Sequence, residues 1–157
     1  MKFDKFVKAL GSDGVIFDGK WLCGLGCSLR IPGTKNVCSD SEIKMPEWFS
    51  DILSEVELYP AELNDSILPY RDSKSSEILR IFDEVGNARG ERTIPVAIAN
   101  KSFGFIEKGD ACYVCTYDHP LKGEDEEERN ALVIARWDGS DEPDIIGVMF
   151  DVKREDD

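Results

Sequence analysis

ACYVCTYD at 111–118, ALVIARW at 131–137 and DIIGVMFDVK at 144–153 follow one another with only polar loops between them. All three are rich in β-branched and aromatic residues and of strand length, which reads as three successive strands. Just before them, TIPVAIA at 93–99 is a fourth extended run. Asn100 can cap a short helix through KSFGFIEK (101–108), in which Gly104 is a weak helix former. The closing part of the chain, 93–152, therefore reads as strand, helix and three strands.

The opening part has a similar order. In KFDKFVKALG (2–11), Phe3, Phe6, Val7 and Leu10 fall on one side of a helix at about 100° per residue. Lys2, Lys5 and Lys8 fall on the other side. VIFDGKWLCG (15–24) reads as a hairpin turning at Asp18-Gly19, and CSLRIPG (27–33) as a third strand stopped by Pro32-Gly33. Residues 1–33 thus form a helix followed by three short strands.

Between these units, 34–92 is more irregular. MPEWFSDILSEV (45–56) predicts a helix with Pro46 at its first position and Trp48, Phe49, Ile52, Leu53 and Val56 on one face. SKSSEILRIFDEVGN (73–87) predicts a second helix, with Ile78, Leu79, Phe82 and Val85 on its apolar face, Asp72 or Ser73 as cap and Gly86 as stop. ELYPAELNDSILPY (57–70) can hold an extended segment, NARGERT (87–93) reads as an exposed loop, and 153–157 is an acidic tail. The expected fold is a single α+β domain over 1–157, mostly antiparallel sheet with short helices: two repeats joined by a helical middle segment.

The order of elements is similar to the internal repeat of a sliding DNA clamp domain. The likeness is carried by FVKALGSDGVIFDGKWLCG (6–24) and NALVIARWDGSDEPDIIGVMFDVK (130–153) and covers 1–33 and 93–152. It is a likeness of topology without a signature motif. It implies a non-enzymatic module of DNA metabolism whose helices present Lys2, Lys5, Lys8, Lys101 and Lys108 to duplex DNA, or that meets replication proteins, with homo-oligomerisation a further expectation. Such phosphate contacts are salt-dependent through counterion release and carry no base information. A closed ring in that family uses several domains, whereas this chain supplies one.

Charge points to an alternative. Thirty-two acids against nineteen bases give a formal charge of −13, which excludes a protein coated all over in basic residues for nucleic acid. GEDEEE at 123–128 is the densest acidic run and reads as a solvated loop between two strands. In its sharper reading, Glu124, Asp125, Glu126, Glu127 and Glu128 imitate DNA phosphates and occupy the basic groove of a nucleic-acid-handling protein, as small antidefence inhibitors of mobile elements do.

Other chemistry has less to stand on. The odd count of five cysteines, set in strand-like text, reads as reduced thiols. Cys23, Cys27, Cys112 and Cys115 have zinc-like spacing, with His119 following. Yet in CYVC, strand residues three apart point to opposite faces, so these are read as buried thiols with no metal and no cofactor. His119, the sole histidine, lies in YDHPLKGEDEEE. It reads as an exposed loop residue whose imidazole a neighbouring carboxylate would raise, unsuited to activating a cysteine. No catalytic residue is assigned. CGLGC lacks the third glycine of a dinucleotide loop, and neither a phosphate-binding P-loop nor a nucleophile elbow is present. Trp21, Trp48 and Trp137 are expected in the core or half-buried. No apolar run approaches the roughly 18 residues of a membrane span, and no signal-peptide pattern opens the chain, so a cytoplasmic protein is expected.

Overall fold

A computed structural model of the chain describes residues 1–33, 41–69, 78–85, 94–121, 123, 125–137 and 143–152, with only the backbone of 64–69 and 78. It is α+β, with ten strands in one mostly antiparallel sheet. The chain opens with helix α1 (Phe3–Leu10), then strands β1 (Val15–Phe17), β2 (Trp21–Gly24), β3 (Cys27–Arg30) and the two-residue β4 (Glu42–Ile43). Helix α2 (Glu47–Ser54) precedes β5 (Tyr59–Pro69), β6 (Ile78–Glu84) and β7 (Val96–Ala99). One turn of helix, α3 (Asn100–Phe103), leads into β8 (Ala111–Pro120), β9 (Glu126–Arg136) and β10 (Asp144–Phe150).

The strand order is β4-β1-β2-β3-β10-β9-β8-β5-β6-β7. β1–β3 form one meander and β8–β10 another, and they meet where Leu29, Ser28 and Cys27 pair with Gly147, Val148 and Met149. Each meander is preceded by a helix, α1 or α3. β5 pairs with β8 only at Tyr59 and Pro60, then continues along β6. After β10, Val152 N–H donates to the Ala97 carbonyl at 2.8 Å, and the Asp151 carboxylate accepts from Ala97 N–H at 2.8 Å. The β5–β7 end of the sheet is thereby tied back to the end of β10.

Both faces of the central strands are covered. On β9, Leu132 and Ile134 enter a core with Phe3, Phe6 and Leu10 of α1, Phe105, and Phe82, Val96 and Ile98 of β6 and β7. Ala131 and Val133 point the other way, into a core with Phe49 and Ile52 of α2, Phe17, Trp21 and Tyr117. A strand buried on both faces needs no polar alternation, which accounts for the unbroken ALVIA.

Local sequence explains the turns of the first meander. Asp18 and Gly19 have φ of 51° and 68°, and Leu25 and Gly26 have 53° and 73°, left-handed pairs that turn the three-residue β1–β2 connection and close the two-residue β2–β3 hairpin. The other glycine of CGLGC, Gly24, gives α1 its seat. A Cβ there would lie 2.5 Å from Leu10 Cδ2.

Several expectations are corrected. The helix expected over 73–87 is strand β6 across 78–84, with its remaining residues 73–77, 86 and 87 outside the described ones. Ile-Leu-Arg-Ile-Phe satisfies the strand period as well as the helical one, and β5 and β7 supply backbone partners on both edges. Leu79 and Ile81 then enter a small cluster with Ala97, Phe82 enters the α1 core, and Val85 is exposed. Among the described residues, the middle segment thus holds one helix, two long strands and the two-residue β4. Pro46 caps α2 from outside, at φ −63° and ψ 147°, and Ala99 takes the cap position expected of Asn100. Trp137 is 53% exposed, whereas Trp21 is buried and Trp48 half-buried. The loop 87–93 and the tail 153–157 lie outside the described residues. No helix among the described residues is long and apolar enough to cross a membrane.

Candidate functional site: an aromatic cleft between carboxylates

Trp48 is placed by the β1–β2 turn. Asp18 N–H donates to the Ile43 carbonyl at 3.0 Å, and the Asp18 carboxylate accepts from Met45 N–H at 2.9 Å. These bonds fix the approach to α2, whose cap residue Pro46 follows directly. Phe49 then packs edge-on against Phe17 and Trp21 at 5.3 and 5.2 Å between ring centroids. Its neighbour Trp48 is left over the outer end of β8.

There Trp48 meets three further rings. It stacks on Tyr117 at 5.7 Å and 25°, lies 4.7 Å from His119 at 60°, and meets Phe150 nearly edge-on at 5.7 Å. Tyr117 and His119 are two apart on β8 and so share a face. Together with Glu127, Glu128, Arg129, Asn130 and Asp151, the four rings wall a half-open cavity of about 550 Å³. A second cavity, of about 480 Å³, is walled by Trp48, Pro46, Glu47, Asp51, Asp118, Pro120 and Glu126. Trp48 therefore stands between two clefts, each bordered by several carboxylates.

Arg129 is engaged within the first cleft. Its Nε donates to Glu127 at 2.9 Å, and Arg129 pairs across the ladder with Tyr117. Burial raises the Tyr117 hydroxyl pKa, with Arg129 opposing. His119 is corrected: it belongs to β8 and is half-buried. Its pKa is lowered by desolvation and then by Arg129, with Glu127 pulling the other way. The imidazole is consequently neutral at pH 7, and its Nδ1 is buried with no hydrogen-bond partner.

The acidic run is also corrected. Glu126, Glu127 and Glu128 are part of β9, paired with Pro120, His119 and Asp118. Asp125 is exposed beside them, and Glu124 lies outside the described residues. Strand alternation puts Glu126 and Glu128 on one face with Asp118, and Glu127 on the other face with His119 and Tyr117.

Lys2, Lys5, Lys8, Lys101 and Lys108 are all exposed. Lys5 is brought to α3, its Nζ donating to the Gly104 carbonyl at 3.4 Å, and Lys2 N–H donates to the Phe105 carbonyl at 2.7 Å. Lys2, at the cap of α1, and Lys5 therefore lie at the α3 turn that carries Lys101.

The four described cysteines do not converge. Cys27 enters the α1 core and Cys112 packs against it, while Cys115 enters the α2 core and Cys23 packs against that. Burial pushes the thiols of Cys23, Cys27 and Cys112 up to about 11 and that of Cys115 up to about 12. Such thiols are poor nucleophiles. Cys115 shares a strand face with His119, but four residues along a strand separate them by roughly 13 Å.

The aromatic cleft was the part missed in the sequence. Its rings come from α2, β8 and β10, and ending β8 at Asp118 placed His119 in a loop. The signal that could have found it is the period-2 spacing of Cys115, Tyr117 and His119.

The chain matches no protein-family model, no curated protein and no solved structure.

Proposed function

We propose that this protein is a non-enzymatic binding protein that occupies the basic groove of a nucleic-acid-handling partner with the carboxylate-rich face of α2 and the β8–β9 ribbon, in the manner of a DNA mimic. One observation carries this: Asp118 stands directly opposite Glu128, with Glu126 two residues further along the same face. Like charges directly opposite on a ladder oppose strand pairing, and a local rule broken without a structural gain marks a functional surface. Glu47 and Asp51 of α2 border the same cleft as Asp118 and Glu126, so the negative surface extends from strand to helix. A cytoplasmic location belongs to this proposal.

The test is displacement of a short labelled duplex from a panel of basic DNA-binding domains at low and moderate salt. Displacement that weakens with salt and is lost in Asp118→Asn/Glu126→Gln/Glu128→Gln is expected. Absence of displacement across the panel at low salt, or full displacement by the triple variant, refutes it.

A second reading, the clamp-like module, is favoured by two separate observations. Two helix-plus-three-strand sets join edge to edge at β3 and β10, and Lys5 reaches the α3 turn. Here Lys2, Lys5, Lys8, Lys101 and Lys108 would meet duplex phosphate, and homo-oligomers would form the ring. Salt-sensitive duplex binding that falls in Lys5→Glu/Lys8→Glu supports it. A monomer by light scattering that ignores duplex at low salt sinks it.

A further inference from the structure

Trp48 and its neighbours carry a narrower inference, which rests on the proposal that this face receives a basic partner. We propose that the cleft walled by Trp48, Tyr117, His119 and Phe150 receives a lysine or arginine side chain of that partner, held over the aromatic walls with its charge directed to the carboxylates that border the cleft.

Three observations support this occupant. The walls are π-rich, and indole is the best aromatic partner for a cation. The charge is complementary: among the described residues, Glu127, Glu128 and Asp151 line the cleft against a single cation, Arg129. Arg129 is already engaged by Glu127, while Glu128 borders the cleft and is exposed. Finally, the imidazole is neutral, so it adds no positive charge, and its buried Nδ1 lacks a partner. A cavity of about 550 Å³ has room for a long aliphatic stem as well as its charged head, so the stem can be buried and the head kept polar. Among the described lining residues, an anionic ligand would find one occupied guanidinium and several carboxylates.

The experiment uses the full chain with octa-arginine and octa-lysine peptides, followed by calorimetry and by the Trp48 indole N–H signal in NMR. Binding that shifts this signal and weakens roughly five- to thirtyfold in Trp48→Leu is expected, the span from an exposed to a desolvated cation–π contact. Trp48→Phe should retain part of the affinity, and Glu128→Gln, an exposed change that leaves the core intact and relieves the like-charge pair with Asp118, should weaken binding without lowering the melting temperature. A tighter complex with one peptide identifies which cation is preferred. If Trp48→Leu binds as the parent does while Asp118→Asn/Glu126→Gln/Glu128→Gln loses binding, the cleft is not the receptor and the acidic face is. If neither peptide binds at low salt, both proposals fail. A shift of the Trp48 signal by an octa-glutamate peptide instead overturns the assignment of a cation.

Discussion

Asp118 on β8 and Glu128 on β9 face each other across the ladder, one carboxylate directly opposite another. A cross-strand pair of opposite charge contributes up to about 1 kcal/mol, and a like pair acts against folding. Asp118→Lys is therefore expected to raise stability by about 0.5–1 kcal/mol, read as a higher urea midpoint with an unchanged slope. The same variant should lose affinity for basic peptides. Stability and binding rising together would remove the reason for assigning this face to a partner.

Phe49 is fully buried and touches Phe17, Trp21 and Trp48 edge-on. Phe49→Ala should cost about 3–5 kcal/mol, measured by denaturant unfolding. Because Trp48 is held partly through Phe49, its indole signal should also broaden. A loss under about 1 kcal/mol would show that α2 does not seal this core as described.

Cys23, Cys27, Cys112 and Cys115 should resist a thiol reagent at pH 8 in the native protein and react after denaturation. With thiols pushed up to about 11 or 12, the reactive thiolate is scarce at that pH. Mapping the label by mass spectrometry keeps Cys38, outside the described residues, separate. Rapid native labelling of Cys27 or Cys115 would contradict their burial.

Asp110 has its side chain 1% exposed and pairs with the Met1 ammonium at 2.8 Å and Arg136 at 3.1 Å, while accepting from Glu107 N–H at 2.9 Å. Burial alone would raise its pKa. The bonds from Met1, Glu107 and Arg136 outweigh it and hold the carboxyl below the ordinary 3.8. The native state thus binds its proton less readily than the unfolded chain. The stabilisation is complete above the ordinary carboxylate range and is lost as pH falls through the native value. Asp110→Asn should cost about 1–3 kcal/mol at pH 7 and flatten the loss of stability below pH 4. A variant with the parent's acid profile would show that the pairing contributes nothing.

Legibility followed the physics of each segment. α1 was legible because Phe3, Phe6 and Leu10 repeat at the helical period and Gly11 stops them. Asp18-Gly19 was legible because few residue pairs accept positive φ twice. β6 was misread because Ile78, Leu79, Phe82 and Val85 fit a helix face, and only pairing with β5 and β7 decides between the two periods. His119 was misread because a histidine before a proline and an acidic run resembles a loop, and its pairing with Glu127 is not a local property.

By itself the sequence determined the mixed α+β class, the two helix-led strand meanders and the acidity, since periodicity, turn chemistry and charge are local or additive. The tertiary structure decided that β3 joins β10, that the cysteines divide between two cores, and that Trp48, Tyr117, His119 and Phe150 share one cleft. Those outcomes depend on which strand edges pair and which faces are covered. Both are settled by backbone hydrogen bonding and apolar burial between residues far apart in the chain.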